Sequence, residues 1–329
     1  AFASFLRLSR RFTHSTQSTQ SINHSFNQSF NQSSLRGHFF VSYFYVPLHS
    51  INFQSIQISM QNKIPFKYRA FGLHIQSDFE IAEMQQAGFD RPDVRIILAE
   101  TPREIENPLR EGVRFQLTDN EFLLNVDNVA RYYVADGNSI RIEKRDGSTF
   151  QEVRIFLVGV VFSALLHQKG MVPFHASALM DEQGKSFLLC GRSGVGKSTL
   201  TATFLKKGFY LLSDDISVVK PAGGKIWVYP SFPFIKLWKD VMEHVDFSAE
   251  GGTKLRDTLE KYGYRMEEAF HAEPASLGKI FVLLVHNKEE YKTEQLKGTE
   301  KFNALKNQTY RFQFVTDRNR PVHFTELNK

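Results

Sequence analysis

Residues Gly191 to Ser198 read Gly-Arg-Ser-Gly-Val-Gly-Lys-Ser, the Walker A pattern G-x-x-x-x-G-K-S. A short apolar run, Ser186–Cys190, precedes it and a segment of helical period to Lys207 follows without a gap, which is the context a phosphate-binding loop (P-loop) requires. Gly191, Gly194 and Gly196 permit positive φ and close approach, so successive N–H groups, with Arg192, Ser193 and Val195 between them, can point at a triphosphate. Lys197 offers a mobile charge for the outer phosphates and Ser198 a hydroxyl for Mg2+. The helix that continues through Thr199 aims the positive end of its dipole at the anion. Lys206, Lys207 and Gly208 supply its C-terminal stop.

A second group lies 17 and 18 residues beyond Lys197, where the run Phe209-Tyr-Leu-Leu-Ser ends in Asp214 and Asp215. A carboxylate closing the strand next to a phosphate loop is where Mg2+ needs another anchor. Two adjacent acids divide the work: one organises the metal, and the other accepts a proton from an incoming hydroxyl.

Elements must hold these groups together. His175–Met180 and Ser186–Cys190 flank the turn Asp181–Gly184 as a hairpin, which brings His175 toward the nucleotide end. Ser217–Val219 and Ile226–Tyr229 continue the sheet, and Phe234–Trp238 leads to a helix through Val245. Lys254, Arg256, Lys261 and Arg265 read as a solvated helical face. Lys279–Val285 reads as a central strand buried on both faces, with a helix near Glu300–Asn307 beyond it.

Upstream, Tyr68–Ile75, Val94–Leu98, Gly112–Leu117, Glu121–Val126, Ala130–Ala135 and Ser139–Lys144 read as strands, with turns at Asp119-Asn120 and Asp136-Gly137-Asn138. They predict a small, mostly antiparallel β-rich domain over 60–150. An apolar helix, Glu152–His167, connects it (151–170) to a domain over 171–329. Residues 1–59 carry Ser/Gln/Asn-rich tandem repeats and predict a disordered tail. With no methionine before Met60, that tail reads either as sequence upstream of the natural start, the favoured version, or as an acid-free transit peptide. Phe39–Val46 within it is either a pairing strand or an unstructured apolar patch.

The composition limits the partners. Of the net charge of +6, Arg7, Arg10, Arg11 and Arg36 in the acid-free tail contribute +4, leaving the folded part nearly balanced. Neither nucleic acid nor an anionic membrane is implied. No run of 18 uninterrupted apolar residues occurs, Ile155–Leu166 being the longest candidate. The single cysteine, Cys190, excludes an intrachain disulfide and suits a reducing, cytoplasmic setting; it reads as a buried strand end in preference to a redox brake on the loop.

With His175-x-Ser177-x-Leu179, the loop Gly191–Thr199 and Leu211-Leu-Ser-Asp-Asp215, residues 171–285 resemble the catalytic domain of HPr kinase/phosphorylase. The fit is closer to HPr kinase-related proteins, some of which accompany peptide-modification gene clusters. That domain is similar in fold to PEP carboxykinase. The resemblance implies a mixed-sheet α/β P-loop kinase domain that uses ATP and Mg2+. It assigns phosphates and metal to Lys197 and Ser198, the base to Asp214, the metal-side partner to Asp215, and assistance to His175. Thr199 stands where HPr kinases usually have Glu, and no later HPr-engaging loop is found, which argues against HPr itself as acceptor. The C-terminal end reads as short of a last helix and strand.

The expected function is a serine kinase, a phosphotransferase acting on a small protein or peptide. The alternatives are a nucleotide-binding regulatory module without transfer, a carboxykinase-type metabolic enzyme, or a slow ATPase with no acceptor. Phosphorolysis and assembly into a homo-oligomer are compatible with the sequence and not decided by it.

Overall fold

A computed structural model describes residues 65–245, 251–256, 259–285, 287, 290 and 292–328. The expectations for the tail, including Phe39–Val46, lie outside these residues. The first described half is a nine-stranded sheet built from β1 (Phe66–Ala70), β2 (Leu73–Ser77), β3 (Gln85–Gln86), β4 (Val94–Leu98), β5 (Arg110–Gly112), β6 (Phe115–Leu117), β7 (Glu121–Val126), β8 (Ala130–Ala135) and β9 (Ser139–Lys144). Its order is β3-β1-β2-β4-β9-β8-β7-β6-β5, antiparallel except where β4 lies parallel to β2 and β9. The turn chemistry sets the register. Asp136 and Gly137 take φ of 52° and 64°, the double positive φ of a tight hairpin, and pair Ala135 with Ser139.

Two runs that read as single strands are hairpins. Tyr68–Ile75 folds back at Phe71-Gly72, where φ is 57° and 72°, and Gly112–Leu117 folds back between β5 and β6. Apolar residues on both sides of the first turn conceal it, because Phe71 is itself fully buried.

The helix α1 (Phe150–Gln168) starts at a capping box in which Thr149 and Glu152 bond each other's backbone N–H. It contains a π turn over Leu157–Val161 and ends near Gly170, which has φ 70°. It is long and apolar enough to pass for a membrane span, with mean hydropathy 1.5 over its best window, but 61% of that window is buried. Val153, Leu157, Val161, Phe162 and Leu165 enter one core with Tyr132 and Ile140 of the first sheet and with Ile216, Val218, Phe232 and Phe234 from later in the chain. Phe162 is fully buried, its ring 5.9 Å from that of Phe71. Phe162→Ala should therefore cost about 3–5 kcal/mol of unfolding free energy by urea titration, and a loss under about 1 kcal/mol would remove the helix from the core.

The second half holds β10 (Val172–Phe174), β11 (Ala176–Met180), β12 (Lys185–Cys190), α2 (Lys197–Lys206), β13 (Tyr210–Ser213), β14 (Ser217–Ala222), β15 (Lys225–Tyr229), β16 (Phe234–Trp238), α3 (Lys239–His244), β17 (Thr253–Arg256), β18 (Leu259–Arg265), β19 (Ala275–Val282), α4 (Gly298–Asn307) and α5 (Arg320–Asn328). A seven-stranded mixed sheet has the order β10-β14-β15-β19-β12-β11-β13, and β16-β18-β17 form a third, antiparallel sheet. The class is thus mixed α/β. Only His175 separates β10 from β11, and only residues 214–216 separate β13 from β14, although the sheet order sets these strands at opposite ends. The sheet therefore curls until its ends meet, and His175, Asp214 and Asp215 occupy the seam.

The strands β17 and β18 correct another expectation. They carry Lys254, Arg256, Lys261 and Arg265 and pair antiparallel in place of a helical face, because Tyr262 and Tyr264 alternate with the charges and pack with Ile235 and Leu237. The strand β19 is central in its sheet yet not buried on both faces: its pattern is half exposed, and Leu284 and Val285 just past it are 82% and 79% exposed.

Candidate active site

The hairpin β11–β12 pairs Ala176 with Cys190 and Met180 with Ser186, closed by Asp181, whose Oδ1 accepts from the backbone N–H of Gln183 and Lys185. On its other side β11 pairs antiparallel with β13. The strands β12 and β13 consequently run the same way, and their C-terminal ends open at one edge of the sheet. The sequence suggests that the acids adjoin the glycine loop directly; instead β11 stands between, and the residue before it, His175, fills the space at that edge.

The loop Gly191–Gly196 joins β12 to α2 with φ of 148°, 84° and 97° at its three glycines, conformations that L side chains resist. A Cβ on Gly191 would lie 2.7 Å from Val195 Cγ1 and 3.0 Å from Leu283 O, so this glycine also serves close approach. Arg192, Ser193 and Gly194 are exposed, while Val195, Ser198 and Thr199 are half-buried. Lys197 folds back over the loop, donating from Nζ to Gly191 O at 2.6 Å and Arg192 O at 3.1 Å. Burial lowers its pKa, opposed by the charges of Asp214 and Asp215.

The turn after β13 is braced by serines. Ser213 and Ser217 share a hydrogen bond of 2.6 Å, and Ser217 donates to Ala176 O. Asp214, 8% exposed, accepts from Ser177 Oγ at 2.7 Å on Oδ1 and from the Lys236 backbone N–H at 3.0 Å on Oδ2. Asp215 sits in the left-handed region at φ 69°, a conformation an Asp tolerates and its partners secure. Its Oδ2 accepts from Lys236 Nζ at 2.9 Å, and His175 Nδ1 lies 3.1 Å from its backbone O and 3.4 Å from its Oδ1. Burial would raise the Asp215 pKa, but the Lys236 ammonium holds it well below the usual carboxylate range. Burial likewise pushes Lys236 down, and Asp215 more than restores it. His175 is lowered, chiefly by burial, against the pull of Asp215.

The structure thus brings together His175, Asp214 and Asp215, with Lys197 in electrostatic reach. Sequence reasoning missed Lys236 and gave Ser177, though part of the His-x-Ser-x-Leu motif, no role of its own. The only signal for Lys236 was an ammonium inside the apolar run Phe-Ile-Lys-Leu-Trp. Cys190 is fully buried and its thiol is pushed up to about 12, which makes it a core residue with no thiolate to offer. A cleft of about 2440 Å³ is lined by His175, Gly191, Arg192, Val195, Tyr310 and Arg311, and by neither Asp214 nor Asp215.

The segment around Tyr310 is strapped onto the sheet. Tyr310 N–H donates to Pro173 O, His175 N–H donates to Gln308 O, and the Tyr310 ring lies 5.4 Å from that of His175. The Tyr310 hydroxyl sits over Gly159 in the π turn of α1. His167 Nε2 is 2.9 Å from Tyr310 O, and His323 Nε2 is 2.9 Å from Thr309 Oγ1. Burial lowers both rings to about 4, against 6.5 when free. Below pH 6.5 the unfolded chain takes up protons that the folded one refuses, so stability should fall as pH drops from 6.5 to about 4. His167 alone contributes about 3 kcal/mol to that fall. Urea midpoints at pH 7.5 and 5.0 check it. His167→Gln should flatten the difference, and an unchanged slope would contradict the account.

No protein-family model and no curated protein matches the chain. Among solved structures it shows a likeness to the Hpr(Ser) kinase/phosphatase from Coxiella burnetii, with 16% identity over 36% of this chain and 69% of that one, at a TM-score of 0.26. A likeness at that level fixes neither fold nor activity.

Proposed function

We propose that the chain is an ATP- and Mg2+-dependent kinase that moves the γ-phosphoryl group to a serine-type hydroxyl on a small protein or peptide. One juxtaposition carries this reading: a glycine loop at the start of a ten-residue helix and an Asp-Asp turn open at the same sheet edge, with Lys197 in reach of both acids.

In this reading the amides of Gly191–Thr199 bind the phosphates and the positive end of α2 faces them. Lys197 leaves the loop carbonyls and follows the outer phosphates. Ser198 and Asp215 hold Mg2+, and their hard oxygen donors fit it. Among the described residues no group of three or more His, Cys, Asp or Glu is arranged to hold a metal ion, so the remaining ligands are phosphate oxygens and water, as is usual for this ion. When bound, the ion neutralises phosphate charge. Asp214 accepts the proton of the incoming hydroxyl: a carboxylate has about four lone-pair sites, and Ser177 and Lys236 use two. His175, neutral at pH 7, fixes Asp215 through its backbone carbonyl and carboxylate.

The test is incubation with γ-labelled ATP, Mg2+ and a serine-containing peptide library, read by mass spectrometry. Phosphoserine on a subset of peptides is expected. Nucleotide binding with no transfer to any peptide would instead favour a regulatory module, which the existing engagement of both acids by Lys236 and Ser177 also suits.

A further inference from the structure

Lys236 is the residue that touches both acids, through its backbone N–H to Asp214 and its ammonium to Asp215. It comes from the third sheet, where every neighbour in β16 is apolar, and its side chain is 16% exposed. Asp215 is the anion that compensates an ammonium in that position. The strand cannot slide to relieve it. Lys236 pairs with Gly263, and a Cβ there would fall 2.0 Å from Phe234 Cζ, so β16 and β18 are locked in register. The oxygen that Lys236 occupies belongs to the acid assigned above to the metal.

We infer that Lys236 is a positioning residue that acts as a built-in counter-ion for Asp215, filling the place of a divalent cation until one arrives with nucleotide. The inference rests on the kinase reading in taking Asp215 as a metal ligand. The ammonium and the cation compete for one carboxylate, so cation binding requires the Lys236–Asp215 pair to open. Released, the ammonium has the phosphate oxygens that arrive with the cation to meet. While the pair is closed, it keeps a half-buried carboxylate from facing apolar strands unpaired.

A competing counter-ion makes a signed prediction that a merely structural lysine does not. Mn2+ binding in the presence of ADP, followed by electron paramagnetic resonance of the free ion, is measured on the full chain. Lys236→Gln should bind Mn2+ about tenfold more tightly than the wild type, a size ordinary for coupled sites. Lys236→Arg, whose planar fork grips a carboxylate more firmly, should bind it about threefold more weakly. Asp215→Asn should lose most of the Mn2+ affinity. The opposite signs keep the test decisive if the Gln variant does not fold, because equal or tighter binding by the Arg variant overturns the inference. Weaker binding by a folded Gln variant overturns it too, leaving the kinase reading intact. Failure of the wild type to bind Mn2+ with ADP at all overturns both.

Discussion

Replacing Lys197 with alanine is expected to abolish nucleotide-dependent phosphoryl transfer while leaving the fold in place. In the structure the ammonium rests on the carbonyls of Gly191 and Arg192, within the electrostatic field of Asp214 and Asp215. Its role in the reaction is to meet charge that develops on the transferring group, and the loss of one such preorganised donor costs about 10²–10³-fold in rate. The fold should tolerate the change, because Lys197 is half-buried and caps two carbonyls of a loop whose Arg192, Ser193 and Gly194 are exposed. Transfer from γ-labelled ATP measures the first effect and thermal unfolding the second. Activity within threefold of the wild type would mean that Lys197 does not handle phosphate.

Asp214→Asn should lower transfer by about 10²–10⁴-fold, the size of a general-base contribution, with nucleotide affinity nearly unchanged. The substitution keeps shape, and the asparagine oxygen can still accept from Ser177. Its amide would then face the Lys236 N–H, donor against donor, at a cost of about 1–3 kcal/mol of stability. The split between intact binding and lost transfer is the informative part. Equal losses in both would make Asp214 a structural brace, and full turnover would remove it from the reaction. Running Asp215→Asn beside it separates the two acids, since that variant should lose Mg2+-dependent nucleotide binding first.

Several strands were legible to the residue: Val94–Leu98, Glu121–Val126, Ala130–Ala135 and Ser139–Lys144 stand as read, because period-two alternation and Asp-Gly-Asn turns act locally. The hairpin leading into the glycine loop and the helix after it are equally local. What the sequence hides is set by tertiary neighbours. Phe71-Gly72 turns inside an apolar run, so nothing polar marks it. Lys261 and Arg265 sit on a strand because β16 offers a partner, and charge alone does not distinguish that from a solvated helix. Lys279–Val285 reads as doubly buried from its composition, yet Leu277 to Val282 of β19 line the cleft. The acids and His175 were visible, whereas the bonds from Ser177 and Lys236 that hold the acids were not. Ser177 lies in a strand of small apolar residues and reaches Asp214 through the β11–β13 pairing, whereas Lys236 lies in an aromatic strand and reaches both acids from the third sheet.

The seam explains why these residues converge. A sheet whose ends meet must switch strands twice, at His175 and at Asp214–Ile216, and each switch frees backbone and side chains from ladder pairing at the same edge. Ser213 and Ser217 close that seam with hydrogen bonds where a ladder would otherwise run.

The most direct measurement is a crystal structure of the wild-type chain with Mg2+ and a non-hydrolysable ATP analogue. The account predicts the β- and γ-phosphates cradled by the amides of Gly191–Ser198, with Lys197 turned from its loop carbonyls toward them and the γ-phosphate facing Asp214 and Asp215. Phosphates bound elsewhere, or held in the loop but pointing away from both acids, would contradict it.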